Sequence, residues 1–490
     1  MKLQASRLIV NLLPMAHNMK KYKFEIFTDV FEQNIREGVF RPGQKLPSVR
    51  ELKQQYQTSM STIQSGYEYL IIRGLVESIP KSGYYVANKP HTAAHQPHAG
   101  HQPVVKDPVF KRNLALITTQ RGGRRISEFN VAAPGDLLIP QKLLLRTMQQ
   151  VIRKQGAGLL RYYPPNGSPE LRDHIVQRAA VHKCLINPDE LLITDGALQA
   201  LYIALASVCE AGDVIAVESP CVFSVLEVIR VLNLKIVEVP VSPYAGFDID
   251  FLRKACRSNH VKAVLVTPNF HNPTGILLSD EQKIALVAVA REFNVAIIEN
   301  DIYGDLHFQG TRPSTIRSFD NSGLVLTYTS YAKTLASGIR LGWLAAGKFM
   351  QRAEQIRFAL GSTVSPLYQE TVNRLLADHS YDRHVRAFRM QLARNAHQAI
   401  QLISENFPEK TSILTPAGGY NAWVRMPDGT DMDYFYNQCE QIGVRFTPGY
   451  TFSFSGAFDN CFRIVFADKF SPERIAAIRL AGQRSRPDLY

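Results

Sequence analysis

Apolar residues recur every three or four positions through much of residues 20–88, which is the spacing of amphipathic helices. A first helix is predicted to end at Gly38, and the sequence from Ser48 to Glu51 has the form of a capping box that opens a second helix. A third helix is predicted to end at Gly74. Two short β-prone runs then flank the turn at Pro80, so this zone predicts three helices followed by a hairpin.

The remainder of the chain divides into a connector and a large second zone. Residues 89–125 lack apolar periodicity and are rich in Pro, Ala, Gln and His, which predicts a mobile linker. We expect no metal on its histidines, because a solvated linker supplies no groups that orient the imidazole rings. Across residues 126–490, six β-prone runs alternate with helical patterns, which predicts a largely parallel sheet covered by helices.

Composition narrows the class of protein further. The 490 residues exceed what one hydrophobic core usually serves, so at least two domains are expected. The net charge is +13, and residues 1–90 hold 13 Lys and Arg against 7 Asp and Glu, a skew that suits a polyanionic partner. The six cysteines form no C-x-x-C pair, and no apolar run reaches the length of a membrane span. We therefore expect a cytoplasmic protein with reduced thiols.

The order of elements in the first zone is that of a winged helix-turn-helix, whose third helix lies in the major groove of DNA. The stretch LPSVRELKQQYQTSMSTIQSGYEYLIIRGLVESIPKSGYYV also resembles the GntR family of bacterial regulators. The resemblance implies double-stranded DNA as a partner. Its best candidates for DNA contact are Arg50, Ser61, Thr62, Gln64 and Lys81.

The large zone carries groups that suit a phosphorylated pyridoxal, beginning with a lysine. Lys333 follows a β-prone run, so its amine can reach an aldehyde carbon while Ser330 and Arg340 converge on the phosphate. The segment Thr194–Gln199 joins a predicted strand to a helix. Free backbone N–H groups at that helix start can bind an anion.

Asn272 and Tyr303 follow two other β-prone runs, where both can donate hydrogen bonds to the phenolic oxygen of the cofactor. Over residues 126–485, seven ordered segments, among them RYYPPNGSPELR, PNFHNPTG and SYAKTLASGIRLGW, resemble fold type I aminotransferases. The whole chain therefore resembles the MocR-type regulators, which join such a domain to a GntR-like unit. The fold class expected is a winged helix-turn-helix (α+β) joined to a large α/β fold type I domain.

The resemblance implies pyridoxal 5'-phosphate as cofactor and assigns roles to individual residues. Lys333 would form the Schiff base, and Asn272 and Tyr303 would contact the phenolic oxygen. The phosphate would be held by Ala197, Leu198, Ser330 and Arg340, with Tyr162 reaching the phosphate of the other subunit of a homodimer. Arg463 would pair with the carboxylate of a substrate or effector.

Two positions depart from the enzyme pattern. Asn300, three residues before Tyr303, stands where an aspartate is expected to keep the pyridine nitrogen protonated. Asp301 can take that position if the loop shifts by one residue, so both residues are candidates. Val222 stands where an aromatic ring usually stacks on the cofactor, and Phe223 is the neighbouring replacement. Both departures favour a sensor over a fast enzyme.

The leading hypothesis is a DNA-binding transcriptional regulator that senses an amino acid or amine, which displaces Lys333 from the cofactor to form an external aldimine. The alternative is an active aminotransferase with a DNA-binding appendage. Retention of Lys333, Tyr303 and Arg463 supports this alternative, whereas Asn300 and Val222 oppose it. A third hypothesis makes the large zone a dimerising scaffold that no longer binds the cofactor.

Overall fold

The computed structural model describes residues 23–72, 75–79, 83–87, 102–108, 127–242, 245–361 and 364–485. The chain divides into two compact units, Met1–His95 and Gln96–Tyr490. Within the described ranges, no helix is long and apolar enough to cross a membrane. The predicted turn at Pro80, Lys81 at its tip and the linker histidines lie outside the described residues.

The N-terminal unit consists of three helices and an antiparallel hairpin, as predicted. Their bounds are α1 Lys23–Arg36, α2 Val49–Gln55, α3 Met60–Ile72, β1 Val76–Ile79 and β2 Gly83–Val86. Ser48 caps α2, because its hydroxyl accepts the Glu51 N–H while the Glu51 carboxylate accepts the Ser48 N–H. Leu52, Ile63 and Tyr67 are fully buried in the core that joins the helices. The predicted winged helix-turn-helix fold is confirmed.

An eight-stranded sheet organises the large unit, with strand order β4-β11-β10-β9-β8-β5-β6-β7. Its strands are β4 Leu191–Thr194, β5 Val214–Ser219, β6 Lys235–Ser242, β7 Gly246–Phe247, β8 Ala263–Val266, β9 Ala296–Asn300, β10 Val325–Ser330 and β11 Gly342–Ala345. The five strands from β10 to β6 are mutually parallel, and β11 and β7 run antiparallel to their neighbours. Each of the six predicted β-runs is a strand of this sheet.

Helices cover both faces of the sheet, because the strands are apolar on both sides. They are α4 Gln141–Gln155, α5 Pro169–Val181, α6 Gly196–Val208, α7 Phe223–Val231, α8 Ile249–Asn259, α9 Asp280–Phe293, α10 Met350–Ala359 and α11 Pro366–Ala377. One buried cluster packs α6 and α7 against one face, and another packs α8 and α9 against the other. The carboxyl ends of the parallel strands meet at one edge, where ligands bind in such sheets.

A C-terminal subdomain begins with the long helix α12 Ser380–Asn406. Its other elements are β12 Ser412–Ile413, β13 Asn421–Arg425, α13 Met432–Gln441, β14 Val444–Arg445, β15 Thr447–Pro448, β16 Cys461–Val465 and α14 Pro472–Arg484. The strands β12, β13, β16 and β15 form a four-stranded sheet, and β3 Ser127–Glu128 pairs with β14. This last pairing brings the chain after residue 128 beside Arg463.

Part of the segment predicted as a linker packs on the large unit. Backbone hydrogen bonds join Lys106 to Ile236 in β6, and the Lys106 ammonium lies 2.8 Å from the Glu238 carboxylate. The Glu238 carboxylate also accepts a 2.5 Å hydrogen bond from Ser453. Residues 102–108 thus lie along the sheet, because β6 offers free backbone groups there and Glu238 offers a charge partner.

Candidate functional site

Lys333 lies just beyond the carboxyl end of β10, on a short loop held by its neighbours. Its ammonium donates a hydrogen bond to the Ala132 carbonyl, and the Tyr420 hydroxyl donates one to its own carbonyl. Burial, together with the nearby charges of Arg463 and Arg340, lowers the pKa of the Lys333 amine to about 8. A substantial fraction of this amine is therefore neutral near physiological pH, as a nucleophile requires.

The start of α6 at Gly196 and the Arg340 side chain form a positively charged site, called here the phosphate cradle. The first backbone N–H groups of the helix, which include those of Ala197 and Leu198, have no acceptor within the helix. Gly196 has φ +74°, and a Cβ there would lie 3.0 Å from Nη2 of Arg340, so a glycine allows this close approach. Arg340 also donates to the Asp195 carbonyl at 3.1 Å. Helix start and guanidinium together suit a phosphate.

Ser330 ends β10 on the same side of the site. Its buried hydroxyl donates to the Leu341 carbonyl at 3.0 Å and accepts the Ala332 N–H at 3.1 Å. These bonds fix the turn that leads to Lys333.

Asn272 links two of the predicted site residues through its amide. Its nitrogen lies 3.3 Å from the Tyr303 hydroxyl, and its oxygen accepts a 2.9 Å hydrogen bond from Arg463. Burial raises the pKa of the Tyr303 phenol, against the opposing charge of Arg463, so the hydroxyl stays protonated and able to donate. Both predicted donors to a phenolic oxygen are thus held side by side.

Arg463 is the largest fully buried side chain of the described residues, with 1% exposure. Besides Asn272, its guanidinium donates to the Asn130 carbonyl at 2.6 Å and to the Thr447 hydroxyl at 3.0 Å. Its Nε has no hydrogen-bond partner, and no carboxylate of the described residues lies within ion-pair distance. Burial accordingly lowers the pKa of the Arg463 guanidinium to about 10. Such a buried, uncompensated cation is suited to bind a ligand carboxylate.

Asn300 and Asp301, the two candidates for the pyridine nitrogen, have different partners. The Asn300 side-chain oxygen accepts the Ile302 N–H at 3.2 Å. The Asp301 carboxylate forms an ion pair with Arg312 and accepts a 2.8 Å hydrogen bond from Asn269. Both residues are buried.

Val222 and Phe223 lie together at the start of α7. Val222 packs partly buried against Trp423, Phe452 and Cys461. The Phe223 ring lies edge-on to the Phe452 ring, with 6.3 Å between their centroids. Phe452 in turn lies 5.2 Å from the Arg463 guanidinium, so this aromatic group borders the site.

Tyr162 is the most exposed of the predicted cofactor residues. Its side chain is 93% exposed, and the neighbouring Leu160 is 88% exposed.

The residues predicted to contact DNA lie on and beside α3, where the structure describes them. Arg50 and Gln64 are exposed, and the Thr62 hydroxyl bonds with that of Ser59, which caps α3. The backbone of Ser61 is in the first turn of α3. Lys81 lies outside the described residues.

Sequence reasoning did not identify several residues that shape this site. Asn130 and Ala132 act through backbone carbonyls, which carry no residue-type signal. Thr447 lies 16 residues before Arg463 but is placed beside it by the pairing of β15 with β16. Thr334, next to the lysine, accepts a 3.0 Å hydrogen bond from Tyr381 of α12.

Comparisons with known proteins identify both units. Residues 134–477 match the family model of aminotransferase class I and II, and residues 29–86 match that of bacterial regulatory proteins of the gntR family. Two HTH-type transcriptional regulators of Escherichia coli (strain K12) are similar over nearly their whole length. YjiR is 30% identical over 94% of this chain and 98% of its own, and YdcR is 31% identical over 95% and 99%.

Solved aminotransferases share the fold of the large unit. A kynurenine aminotransferase of Pyrococcus horikoshii has a TM-score of 0.71 and 21% identity, covering 78% of this chain and 98% of its own. The α-aminoadipate aminotransferase LysN of Thermus thermophilus has a TM-score of 0.69 and 23% identity, covering 73% and 92%. The predicted fold type I domain and its pyridoxal phosphate cofactor are confirmed. The chain belongs to the aminotransferase class I and II family and, through its gntR-family domain, to the MocR-type transcriptional regulators.

Proposed function

We propose that this regulator senses an amino acid, or a related amine that carries a carboxylate, in its pyridoxal phosphate domain. The observation that carries the proposal is the buried Arg463, whose guanidinium has no acidic partner among the described residues. Arg463 donates to the Asn130 carbonyl and Lys333 donates to the Ala132 carbonyl, so the two cations lie beside the same short segment of chain. The charge of Arg463 also lowers the pKa of the Lys333 amine. A ligand with a carboxylate would compensate the buried charge of Arg463.

The residues present fit the cofactor. Arg340 and the start of α6 would hold its phosphate, with Ser330 shaping the adjoining turn. Asn272 and Tyr303 would donate to its phenolic oxygen. When bound, pyridoxal phosphate supplies an electrophilic aldehyde to which a primary amine adds with loss of water.

Protein groups would control which amine occupies the site. Because its pKa is lowered to about 8, Lys333 offers a larger fraction of neutral amine near neutral pH than an ordinary lysine does. Arg463 would orient an incoming ligand through a two-pronged contact with the ligand carboxylate. Its contacts to Asn130, Asn272 and Thr447 hold the guanidinium in place.

Dimerisation and DNA binding would convert this occupancy into regulation. We propose a homodimer in which Tyr162 reaches the phosphate of the second subunit, supported by its exposure beside Leu160. Two winged units would then read paired half-sites on double-stranded DNA, with Arg50, Ser61, Thr62, Gln64 and Lys81 as the contacting residues. Ligand binding would alter operator affinity by changing the relative stability of two arrangements of the dimer.

The test is a spectral titration of the purified full-length protein. We expect an absorbance band near ~420 nm from the lysine-bound cofactor. Amino acids should shift this band, and amines without a carboxylate should do so more weakly. Borohydride reduction followed by mass spectrometry should place the cofactor on Lys333. A label on another lysine, or no response to any amino acid, would contradict the proposal.

An active aminotransferase is the second candidate, favoured by the pKa of about 8 at Lys333, which suits proton transfer near neutral pH. Single-turnover reactions with a panel of amino acids distinguish the two. A sensor stops after the amine has bound, whereas an aminotransferase converts the cofactor to its pyridoxamine form.

A further inference from the structure

We infer that Asn300 faces the pyridine nitrogen of the cofactor as a hydrogen-bond donor, while Asp301 is held away from it. The nitrogen is therefore unprotonated, and the cofactor is a poor electron sink in this protein. The inference rests on the proposed function in one respect, since it requires the cofactor to be held on Lys333.

The pleat of the sheet places Asn300 on the cofactor side. Side chains two apart on a strand share a face, so Asn300 lies on the same face of β9 as Ile298. Asn300 also pairs in register with Tyr328 of β10, two residues before Ser330. Ile298 and Tyr328 both belong to the core cluster that packs against α6. Asn300 thus shares its face with Ser330 and with the helix whose first turn forms the phosphate cradle.

The Asp301 carboxylate is bonded to partners that lie away from the cofactor side. Its carboxylate pairs with Arg312 and accepts the Asn269 amide at 2.8 Å. The Asn269 oxygen in turn accepts a 3.0 Å hydrogen bond from Lys283, a buried residue of α9. Because α9 covers the sheet face opposite α6, these bonds draw the Asp301 carboxylate away from the cofactor side.

Moving Asp301 to the ring would leave a buried cation short of a partner. Arg312 is bonded to Asp301 and, at 2.7 Å, to Asp305. Asp305 is itself shared with Arg178, so it does not neutralise Arg312 alone. Loss of the Asp301 contact would leave Arg312 with one carboxylate partner, Asp305, in place of two, and a buried cation that loses a partner is destabilised.

The backbone decides which end of the Asn300 amide faces the ligand. A backbone N–H is a donor only, so the atom that accepts the Ile302 N–H at 3.2 Å must be the Asn300 oxygen. Its NH₂ group is left without an acceptor among the residues that the structure describes. An N–H donor opposite the pyridine nitrogen stabilises the lone pair of the neutral form. A pyridinium N–H would instead meet another donor, which lowers the pKa of the ring nitrogen.

This arrangement separates binding from turnover. Addition of an amine to the cofactor aldehyde does not depend on a protonated ring. Loss of the α-proton of a bound amino acid does depend on a protonated ring, because a positive ring nitrogen stabilises the electron pair of the broken C–H bond. Asn300 would therefore let the protein hold an amino acid without converting it.

The test uses full-length protein loaded with pyridoxal phosphate that carries ¹⁵N in the ring. In wild-type protein the ¹⁵N chemical shift should be that of an unprotonated pyridine and should stay so from about pH 6 to 9. Asn300→Asp should move the shift to the protonated range, and it should speed single-turnover conversion of an amino acid about tenfold or more. Asp301→Asn is the matched control and should leave the ¹⁵N shift unchanged.

A protonated ring in the wild-type protein would overturn the inference without any variant. A ¹⁵N shift that responds to Asp301→Asn but not to Asn300→Asp would overturn it as well. A different outcome would contradict the proposed function, namely that the protein captures no cofactor at Lys333.

Discussion

The two functional regions of this protein hold their polar groups in opposite ways. In the large unit, Arg463 and Asn272 are buried and hydrogen-bonded to each other. In the N-terminal unit, Arg50 and Gln64 are exposed, and neither side chain has a protein partner in the part of the chain that the structure describes. One region holds its polar groups in place through contacts within the fold, whereas the other presents them to solvent.

This difference sets the size of the effects that substitution should have. Removing a buried, oriented group leaves its partners unsatisfied and abolishes a specific interaction. Removing an exposed charge deletes one of several screened contacts with a polyanion, so its effect is graded and depends on salt. Substitutions in the two regions can therefore test this contrast.

The largest expected effect comes from Lys333→Ala. Because Lys333 is the amine that the described residues bring to this site, the variant should lose covalent cofactor binding and its absorbance near ~420 nm completely. The exposed Lys348→Ala provides the control and should keep the full band. Retention of the band by Lys333→Ala after dialysis would show that a different residue holds the cofactor.

Arg463→Met should weaken the response to amino acids about 30-fold, or roughly 2 kcal/mol, because it removes charged hydrogen bonds to the ligand carboxylate. Methionine has a comparable length and keeps the contact with Phe452. Amines that lack a carboxylate are the internal control, and their affinity should change little. Equal weakening for both classes of ligand would show that the site had collapsed rather than lost one contact.

Cofactor capture should depend on pH through Lys333. Its pKa is lowered to about 8, so the neutral amine dominates above that pH and the protonated, unreactive form below it. The rate at which apoprotein captures pyridoxal phosphate should therefore rise with a midpoint near pH 8 and fall about fivefold between pH 8 and 7. Arg463→Met should move this midpoint upward, because the nearby positive charge that disfavours protonation is gone. A midpoint that stays near pH 8 in Arg463→Met would show that the charge of Arg463 does not influence the pKa of Lys333.

The strands of the large unit could be predicted from their apolar runs. Most of its candidate site residues could be predicted as well, because they follow the ends of those strands. Asn272, Tyr303 and Lys333 each come shortly after an apolar β-run, and parallel strands bring such positions to one edge. The confirmed fold class depended on the same runs. The residue roles themselves stay predictions, although the fold brings these three side chains and Arg463 to one place.

Other features could not be predicted because they depend on three-dimensional contacts between distant segments. The carbonyl of Asn130 accepts from Arg463 across 333 residues, and a carbonyl has no sequence signature. The choice between Asn300 and Asp301 depends on Arg312, whose pairing with Asp301 is visible only once the loop after β9 is folded. The cysteines depend on no such contact between distant segments, since all six thiols are buried and none forms a disulfide.

Arg50→Ala should produce the smallest effect and the one most sensitive to salt. Arg50 is exposed at the start of α2, so the variant should lose one phosphate or base contact. Affinity for a mixed-sequence duplex should fall about three- to fivefold at low salt, and the slope of log K against log[salt] should fall by about 0.9. The exposed Arg352→Ala in α10 is a charge-matched control and should leave both quantities unchanged. If the two variants lost affinity equally, net charge rather than the winged unit would govern binding. A loss as large as that of Arg463→Met, independent of salt, would instead mean that the Arg50 side chain is held in place by the fold. The contrast between the two regions would then not hold.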